Sequence, residues 1–244
     1  MLNLLYEDRE IIVAEKPAGV ESQASRGFAP DMVSQLQTYL CTKLSTDWGK
    51  VSTKPQKKSA KPALPYLGVI HRLDKPVSGV MVYAKTQKAA ANLSSQVREG
   101  KMDKYYYAVV CGKPVESVGN FVDYLQKDEK ENYSRIVDKS SPGAKRAELE
   151  YEVIKSRTME QECSLVRVHL LTGRHHQIRV QFAGHGYPLW GDNRYHPDFA
   201  GGKRRGSIAL CAAELSFTHP STGEWKTFTI KPQGGAFAWF DVSG

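Results

Sequence analysis

The feature that most constrains the fold is a series of segments in the second half of the chain in which apolar and polar residues alternate. The clearest is 147–154, where every second position is apolar: Ala147, Leu149, Tyr151 and Val153. A period of two places these side chains on one face of a β-strand. The same criterion predicts strands at 104–111, 121–125, 163–171, 208–217 and 225–230. We therefore expect most of the second half to form antiparallel sheet.

The first half adds shorter strands. Apolar runs at 2–6 and 10–14 surround a polar turn and predict a β-hairpin, and buried strands are expected at 68–70 and 79–84. No internal repeat or interdomain linker is visible in the sequence. We therefore expect one α+β domain over 1–244, built on a mixed, largely antiparallel sheet flanked by helices and loops.

Three helices are expected beside these strands. Asp31 is a suitable N-cap for the first, whose buried face would consist of Val33, Leu36, Leu40 and Leu44. Thr86 is placed to cap the second, which would end at Gly100. The segment 174–183 has the length and apolar spacing of a third helix.

The charge balance indicates a polyanionic partner. The chain has 34 Lys and Arg against 26 Asp and Glu, a net charge of +8. Residues 45–65 lack apolar periodicity and are rich in lysine, which predicts a mobile basic loop. Its lysines are Lys50, Lys54, Lys57, Lys58 and Lys61. The loop is either a solvated insertion or a contact for nucleic-acid phosphates, and 199–206, with Lys203, Arg204 and Arg205, is a second candidate.

Composition also excludes several classes of protein. No run of about 18 apolar residues is present, and the opening MLNLLYEDRE has acids where a signal peptide needs cations and then apolar residues. We expect a cytoplasmic protein that does not associate with membranes. The 4 cysteines are far apart and lack metal-ligand spacing, so we expect reduced, mostly buried thiols and no metal.

Three polar clusters are the candidates for chemistry: His71 to Asp74, Lys104 to Tyr107, and Arg174 to Arg179. Taken singly, each has an ordinary structural explanation as an ion pair, a set of strand aromatics and a solvated helix face. Taken together, they offer a carboxylate in a loop between buried strands, guanidinium groups that favour its ionised form, and aromatic faces for an unstacked base. This combination predicts a site that acts on a nucleotide.

Other chemistries fit the sequence less well. His175 and His176 are neighbours that would point about 100° apart on a helix, and the HExxH zinc motif is absent. Neither GxxxxGK[ST] nor a strand-linked GxGxxG is present to hold phosphates, and the GxSxG serine elbow is also missing. Histidine-driven RNA cleavage remains open chemically, but no spacing selects a pair among the 7 histidines.

At these clusters the chain resembles the RluA-type family of RNA pseudouridine synthases. The signature HRLDxxTSG is matched at 71–79, with Val77 in place of the usual threonine. The strand motif KxYxAxVxG is matched at 104–112. The segment TGRxHQIRVH is matched at 172–180, with His175 where threonine or serine is common and Gln181 in place of the last histidine, and GxPIxGDxxY follows at 186–195. The opening YEDxxxxxxxKPxG lies at 6–19 and the closing HPxTG at 219–223. The resemblance therefore covers nearly the whole chain in the right order.

The resemblance implies isomerisation of uridine to pseudouridine in ribosomal or transfer RNA, without cofactor or metal. Asp74 would be the catalytic aspartate, Tyr106 would pack on the flipped uracil and handle a proton, and Arg179 would pair with Asp74. Arg174 is the alternative partner of Asp74, and Arg72 would fill the space left by the flipped base. The substrate-binding residues would be His71, Arg72, Arg174, Gln177 and Ile178.

Two alternatives to the isomerase are a small-nucleotide hydrolase and a non-catalytic RNA-binding or ribosome-assembly protein that keeps the fold. The second predicts RNA binding with no change to the uridine. Because the family's opening motif begins close to the first residue, we expect a stand-alone catalytic domain without the S4-like domain that many family members carry. No heptad or surplus amphipathic helix is visible, so we expect a monomer.

Overall fold

A single mixed β-sheet organises the protein. The computed structural model describes residues 2–24, 31–48, 64–158 and 161–240. In these ranges one 11-stranded sheet is formed. Its strands are β1 (Asn3–Glu7), β2 (Ile11–Lys16), β3 (Gly68–Val69), β4 (Ser78–Ala84), β5 (Asp103–Cys111), β6 (Val118–Asp128), β7 (Tyr133–Val137), β8 (Lys145–Thr158), β9 (Glu162–Leu170), β10 (Leu210–Thr218) and β11 (Trp225–Thr229).

The strand order is β1-β2-β4-β10-β5-β9-β8-β6-β7, with β11 paired to β10 and β3 paired to β4. Strands β4 and β10 are parallel, with Ser78 opposite Cys211 and Gly79 opposite Ala212. The other pairings among the described strands are antiparallel. The prediction of an α+β fold on a mixed, largely antiparallel sheet is thus confirmed.

The helices are α1 (Met32–Trp48), α2 (Gln87–Arg98), α3 (Gln177–Gly184) and α4 (Pro197–Ala200), followed by a 3₁₀ helix (Gly235–Trp239). The predicted caps are present. Asp31 Oδ1 accepts a hydrogen bond from Val33 N at 2.9 Å, and Thr86 Oγ1 accepts one from Ala89 N at 3.1 Å. These bonds satisfy backbone donors that the first turn of a helix leaves without partners.

Two details of the first helix differ from the prediction. Helix α1 continues to Trp48, into the segment expected to be loop from residue 45. Leu44 is 54% exposed and does not belong to the buried face. The lysines of the predicted basic loop lie in 49–63, outside the described residues.

The third helix begins later than predicted. Helix α3 starts at Gln177, and His176 before it has a φ of 53°, in the left-handed region. Arg174 and His175 therefore lie in a turn rather than on a helix. The predicted helix start at Arg174, and with it the expected angle of about 100° between His175 and His176 on a helix, was wrong for this reason. The prediction relied on apolar spacing, which says nothing about a single left-handed residue.

The centre of the sheet is buried on both faces. Along β2, Ile12 and Ala14 pack into one core cluster, while Ile11 and Val13 pack into another. Helix α1 covers the first face through Met32, Leu36 and Leu40, and α2 covers the second through Ala89 and Leu93. Because β4 is similarly buried on both sides, the loop that precedes it starts from a rigid base.

Two further sequence predictions concern the cysteine thiols and membrane-spanning segments. The cysteines form no disulfide, and Cys111, Cys163 and Cys211 are buried as expected. None of the helices in the described ranges is long and apolar enough to cross a membrane.

Candidate active site

The loop between β3 and β4 presents Asp74 at the end of the buried strand pair. Val77 N donates to Asp74 O at 3.0 Å and closes a turn behind the carboxylate. Ser22 holds the loop from the other side, because its hydroxyl donates to Leu73 O at 2.8 Å and accepts from Leu73 N at 3.0 Å. The side chain of Asp74 is 30% exposed. The backbone is thus fixed while the carboxylate remains accessible.

Lys16, at the end of β2, supports the Asp74 loop through hydrogen bonds to backbone carbonyls. Its side chain is fully buried. The ammonium donates to Pro17 O at 3.1 Å, Val20 O at 2.7 Å and Lys75 O at 3.2 Å. Burial lowers the pKa of Lys16 to about 8, and the nearby charge of Asp74 opposes this shift. Lys16 therefore ties two loop segments together and adds positive charge behind Asp74.

Arg179 on α3 connects Asp74 to a second carboxylate. Its Nη1 donates to Asp74 Oδ2 at 3.0 Å, while Nε and Nη2 donate to the two oxygens of Asp192 at 2.8 and 2.7 Å. Arg179 is 3% exposed and Asp192 is fully buried. The arginine that pairs with Asp74 is thus Arg179. The guanidinium of Arg174 is exposed and donates to Arg146 O at 2.8 Å.

His176 lies next to the same carboxylate. Its Nε2 is 3.5 Å from Asp74 Oδ2, and its Nδ1 is 2.8 Å from the hydroxyl of Tyr195. That hydroxyl also accepts a hydrogen bond from Ser134 N at 2.9 Å. The ring stacks on His175 with centroids 3.7 Å apart. Burial lowers the pKa of His176 to about 4, so the imidazole is neutral at neutral pH.

Two buried side chains of the predicted site, Tyr106 and Ile178, pack in the same core cluster as residues of the Asp74 loop. Tyr106 on β5 is 7% exposed, and Ile178 is 4% exposed. Both belong to the core cluster that contains Leu73 and Val77 of the Asp74 loop. Burial and the nearby charge of Asp74 raise the pKa of Tyr106 well above its usual range, so its hydroxyl stays protonated. No described residue hydrogen-bonds this hydroxyl, which leaves it available to a substrate.

The remaining predicted substrate contacts are divided between surface and interior. Arg72 is exposed beside Asp74. His71 Nε2 accepts a hydrogen bond from Val82 N at 3.3 Å, and burial lowers its pKa to about 4. Gln177 is buried, and its amide bonds to Thr172, Arg174, Glu148 and Gln181. The roles of these side chains in binding stay predictions.

Exposed basic residues occur in the same segments of the chain as the site residues. Arg72, Lys75, Arg174 and Arg194 are exposed and come from the Asp74 loop and the segments that flank α3. In the second candidate basic segment, Lys203 and Arg205 are exposed, whereas the guanidinium of Arg204 lies 5.4 Å from the ring of Trp190. Such cations suit the phosphates of a polyanion.

Four residues of this arrangement had been given no role in the predicted site: Lys16, His176, Asp192 and Tyr195. All four lie within the motifs already quoted, at 6–19 and 172–195. The signal that could have selected them is a titratable or hydroxyl side chain at a motif position. Within the described ranges, no His, Cys, Asp and Glu side chains form a group of three or more that could hold a metal ion.

Comparisons with known proteins identify the family. The model of the family "RNA pseudouridylate synthase" matches residues 10–184. An uncharacterized RNA pseudouridine synthase from Aquifex aeolicus is 33% identical over 242 residues, covering 94% of this chain and 69% of that protein. The ribosomal large subunit pseudouridine synthase C of Escherichia coli K12 is 33% identical over 229 residues, covering 91% of this chain and 63% of that protein.

Solved structures share the fold. Human RNA pseudouridylate synthase domain containing 1 superimposes with a TM-score of 0.72 at 21% identity, covering 95% of this chain and 83% of that one. Human RNA pseudouridylate synthase domain containing 4 gives a TM-score of 0.70 at 23% identity, covering 95% and 88%. At these identities the likeness shows the fold alone. The family match and the relatives confirm the resemblance seen in the sequence: the chain belongs to the RNA pseudouridine synthases, isomerases that convert uridine to pseudouridine in RNA.

Proposed function

We propose that Asp74 is the catalytic aspartate of this isomerase and that Arg179 and Tyr106 complete its active site. The observation that carries the proposal is the buried Arg179, which joins the accessible carboxylate of Asp74 to the buried carboxylate of Asp192. The hydrogen bond from Arg179 Nη1 orients the carboxylate of Asp74, and a carboxylate is a group that can act as a nucleophile.

The reaction breaks the bond from C1′ to N1 of the uracil, turns the base in place, and forms a bond from C1′ to C5. The proton on C5 is lost and N1 gains one. The base must stay bound throughout, which suits the buried side chains of Tyr106 and Ile178, in the core cluster that contains Leu73 and Val77 of the Asp74 loop. Asp74 attacks either the sugar or the base. Tyr106 packs on the uracil, and its hydroxyl relays the proton that leaves C5 by giving its own proton to solvent as it accepts that one.

The exposed cations of the Asp74 loop and of the segments that flank α3 support an RNA substrate, whose phosphates they would contact. We propose a uridine of large-subunit ribosomal RNA, on the strength of the relative named as a ribosomal large subunit enzyme. The non-catalytic binder is disfavoured by the family match and by the intact group of Asp74, Tyr106 and Arg179. The monomeric state and the cytoplasmic location stay predictions, to be tested by light scattering and by cell fractionation.

The test is release of tritium from RNA that carries uridine labelled at C5. Wild type is compared with Asp74→Ala and Asp74→Asn on ribosomal and transfer RNA transcripts. We expect release by wild type from ribosomal RNA, and none by either variant, with RNA affinity retained because phosphate contacts supply it. Activity of Asp74→Ala near that of wild type would contradict the assignment. Release from transfer RNA alone would contradict the substrate class but not the catalytic aspartate.

A further inference from the structure

We propose that His176 is a positioning residue for Asp74: its Nε2–H donates to Asp74 Oδ2, and Tyr195 and Ser134 fix the imidazole tautomer that makes this donation possible. The proposal rests on the proposed role of Asp74. It concerns how one carboxylate oxygen is anchored so that the other is presented to the substrate.

Two donors converge on one oxygen of Asp74. Arg179 Nη1 is 3.0 Å from Oδ2, and His176 Nε2 is 3.5 Å from the same atom. The second contact is long for a hydrogen bond, as catalytic contacts often are before a substrate closes the site. None of the described residues donates a hydrogen bond to Oδ1. With Oδ2 held by both donors, Oδ1 is the oxygen that faces the substrate.

The hydrogen bonds on the far side of the ring select the tautomer. Ser134 N donates to the Tyr195 hydroxyl at 2.9 Å, and this hydroxyl lies 2.8 Å from His176 Nδ1. If the hydroxyl donates its proton to Nδ1, the one proton of the neutral ring is on Nε2 and points towards Asp74. In the other tautomer, the Nε2 lone pair would face a carboxylate, and the hydroxyl proton would have no acceptor in the described part of the chain.

The backbone at His176 is strained in a way that serves this geometry. Its φ of 53° is in the left-handed region, which costs a histidine free energy. Packing holds the ring there: it stacks on His175, and His175 Nδ1 lies 2.8 Å from Ser134 Oγ. Ser134 is 2% exposed, so one buried residue of β7 orders both histidines. Strain kept by such packing favours a functional reason for the ring position.

A matched pair of substitutions separates positioning from folding. In His176→Gln, the side-chain NH₂ falls near the former Nε2 and can donate to Asp74. In His176→Asn, the shorter amide reaches only the former Nδ1 position, beside Tyr195. Asparagine tolerates a positive φ better than glutamine does, so a purely structural role predicts that the Asn variant performs better. The proposal predicts the opposite order in turnover.

The measurement is steady-state tritium release over a range of RNA concentrations, which gives kcat and KM separately. We expect His176→Asn to lower kcat by about 10- to 100-fold with KM unchanged, as for loss of a hydrogen bond to a charged group. His176→Gln should stay within about 5-fold of wild type, since a donor remains. His169→Asn and His169→Gln are controls, because His169 stacks on Tyr105, which points to the opposite face of the sheet from Tyr106. Equal kcat values for the Asn and Gln variants, or an effect on KM alone, would overturn the proposal.

The tautomer of His176 can be measured without an activity assay. In protein carrying ¹⁵N-labelled histidine, the ring nitrogens of His176 should show a protonated Nε2 and an unprotonated Nδ1 at pH 7. Tyr195→Phe, which keeps the ring and removes the hydroxyl, should produce a mixture of tautomers. A protonated Nδ1 in the wild type would overturn the inference even if tritium release proves the isomerase. If wild type and Asp74→Ala show equal tritium release, the proposed catalytic role of Asp74 is wrong. The tautomer of His176 is measured independently of that result.

Discussion

Asp192 holds Arg179 in a buried, two-bonded ion pair and leaves one guanidinium nitrogen, Nη1, to reach Asp74. Asp192 Oδ1 also accepts hydrogen bonds from Arg194 N at 2.9 Å and Tyr195 N at 3.2 Å. The backbone at Arg194 and Tyr195 is therefore connected to Asp74, the candidate nucleophile, through the carboxylate of Asp192 and the guanidinium of Arg179. Because Asp192 fixes the plane of the guanidinium, the position of Nη1 is set before any substrate binds.

Asp192→Ala should destabilise the fold by about 3–5 kcal/mol, the usual effect of leaving one member of a buried ion pair uncompensated. Asp192→Asn keeps an oxygen for Arg194 N and Tyr195 N and should cost less. Both variants should lower kcat, since Arg179 is no longer held from behind. Urea unfolding and tritium release check this prediction. A fully active Asp192→Ala protein would show that Asp74 does not depend on the fixed guanidinium.

Lys16→Met should loosen the loop that carries Asp74. Three backbone carbonyls lose the ammonium donor, and the expected destabilisation is about 1.5–3 kcal/mol. The control is Lys75→Met on the same loop, where an exposed ammonium is 3.6 Å from Glu21 and should contribute less than about 0.5 kcal/mol. Equal unfolding midpoints for the two variants would contradict the supporting role of Lys16.

The strands were predictable because their information is local. Alternation along 147–154 and its neighbours reflects burial of one strand face, so β5, β8, β9 and β10 follow from the sequence. Strand β7 does not, because Ser134 is its one fully buried side chain and no apolar period marks it. Its place in the sheet comes from pairing with β6, which a local pattern does not contain.

The same distinction between local and tertiary information applies to the residues of the candidate site. Asp74, Tyr106 and Arg179 were predicted because each is a motif position with obvious chemistry. The contact of His176 with Asp74 depends on one left-handed residue, and its contact with Tyr195 depends on a turn that returns from Asp192. Both are tertiary features. Helical periodicity placed Arg174 on a helix and therefore gave no reason to distinguish His176 from His175.

Gly79→Ala should separate the one parallel strand pair in the described sheet. A Cβ on Gly79 would overlap Ala212 Cβ and lie 2.6 Å from Ala212 O, and the φ of 151° also disfavours alanine. We expect a loss of about 3 kcal/mol or more, with impaired turnover because β4 begins at the Asp74 loop. Gly223→Ala is the control: its φ is 72° but its Cβ would meet open space, so strain alone should cost about 1–2 kcal/mol. Similar losses for both in urea unfolding would exclude the steric explanation.

Lys203 and Arg205 test the exposed basic segment. If they contact RNA phosphates, the double variant Lys203→Ala/Arg205→Ala should raise KM for RNA and leave kcat nearly unchanged. The dependence of log affinity on log salt should also become shallower, by about 1 to 2 for loss of two contacts. Kd measured at several salt concentrations decides the matter. An unchanged slope would make this segment a solvated surface without a role in binding.

Folding stability should fall as the pH decreases from about 6.5 to about 4, in part because of His176. Its pKa is lowered from 6.5 to about 4 in the folded protein by burial, and the charged or titratable groups that act on it are Asp74, Arg179, His175 and Arg194. Between these two pH values the unfolded chain binds a proton at His176 and the folded protein does not, so acid favours unfolding by roughly 1.4 kcal/mol per pH unit. Below about pH 4 both states are protonated and this contribution stops growing.

Urea unfolding at pH 7, 6 and 5 should therefore show a smaller decline in the free energy of unfolding in His176→Gln than in wild type. Parallel declines in the two proteins would mean that His176 takes up its proton over the same pH range in the folded and the unfolded protein, which would contradict this prediction.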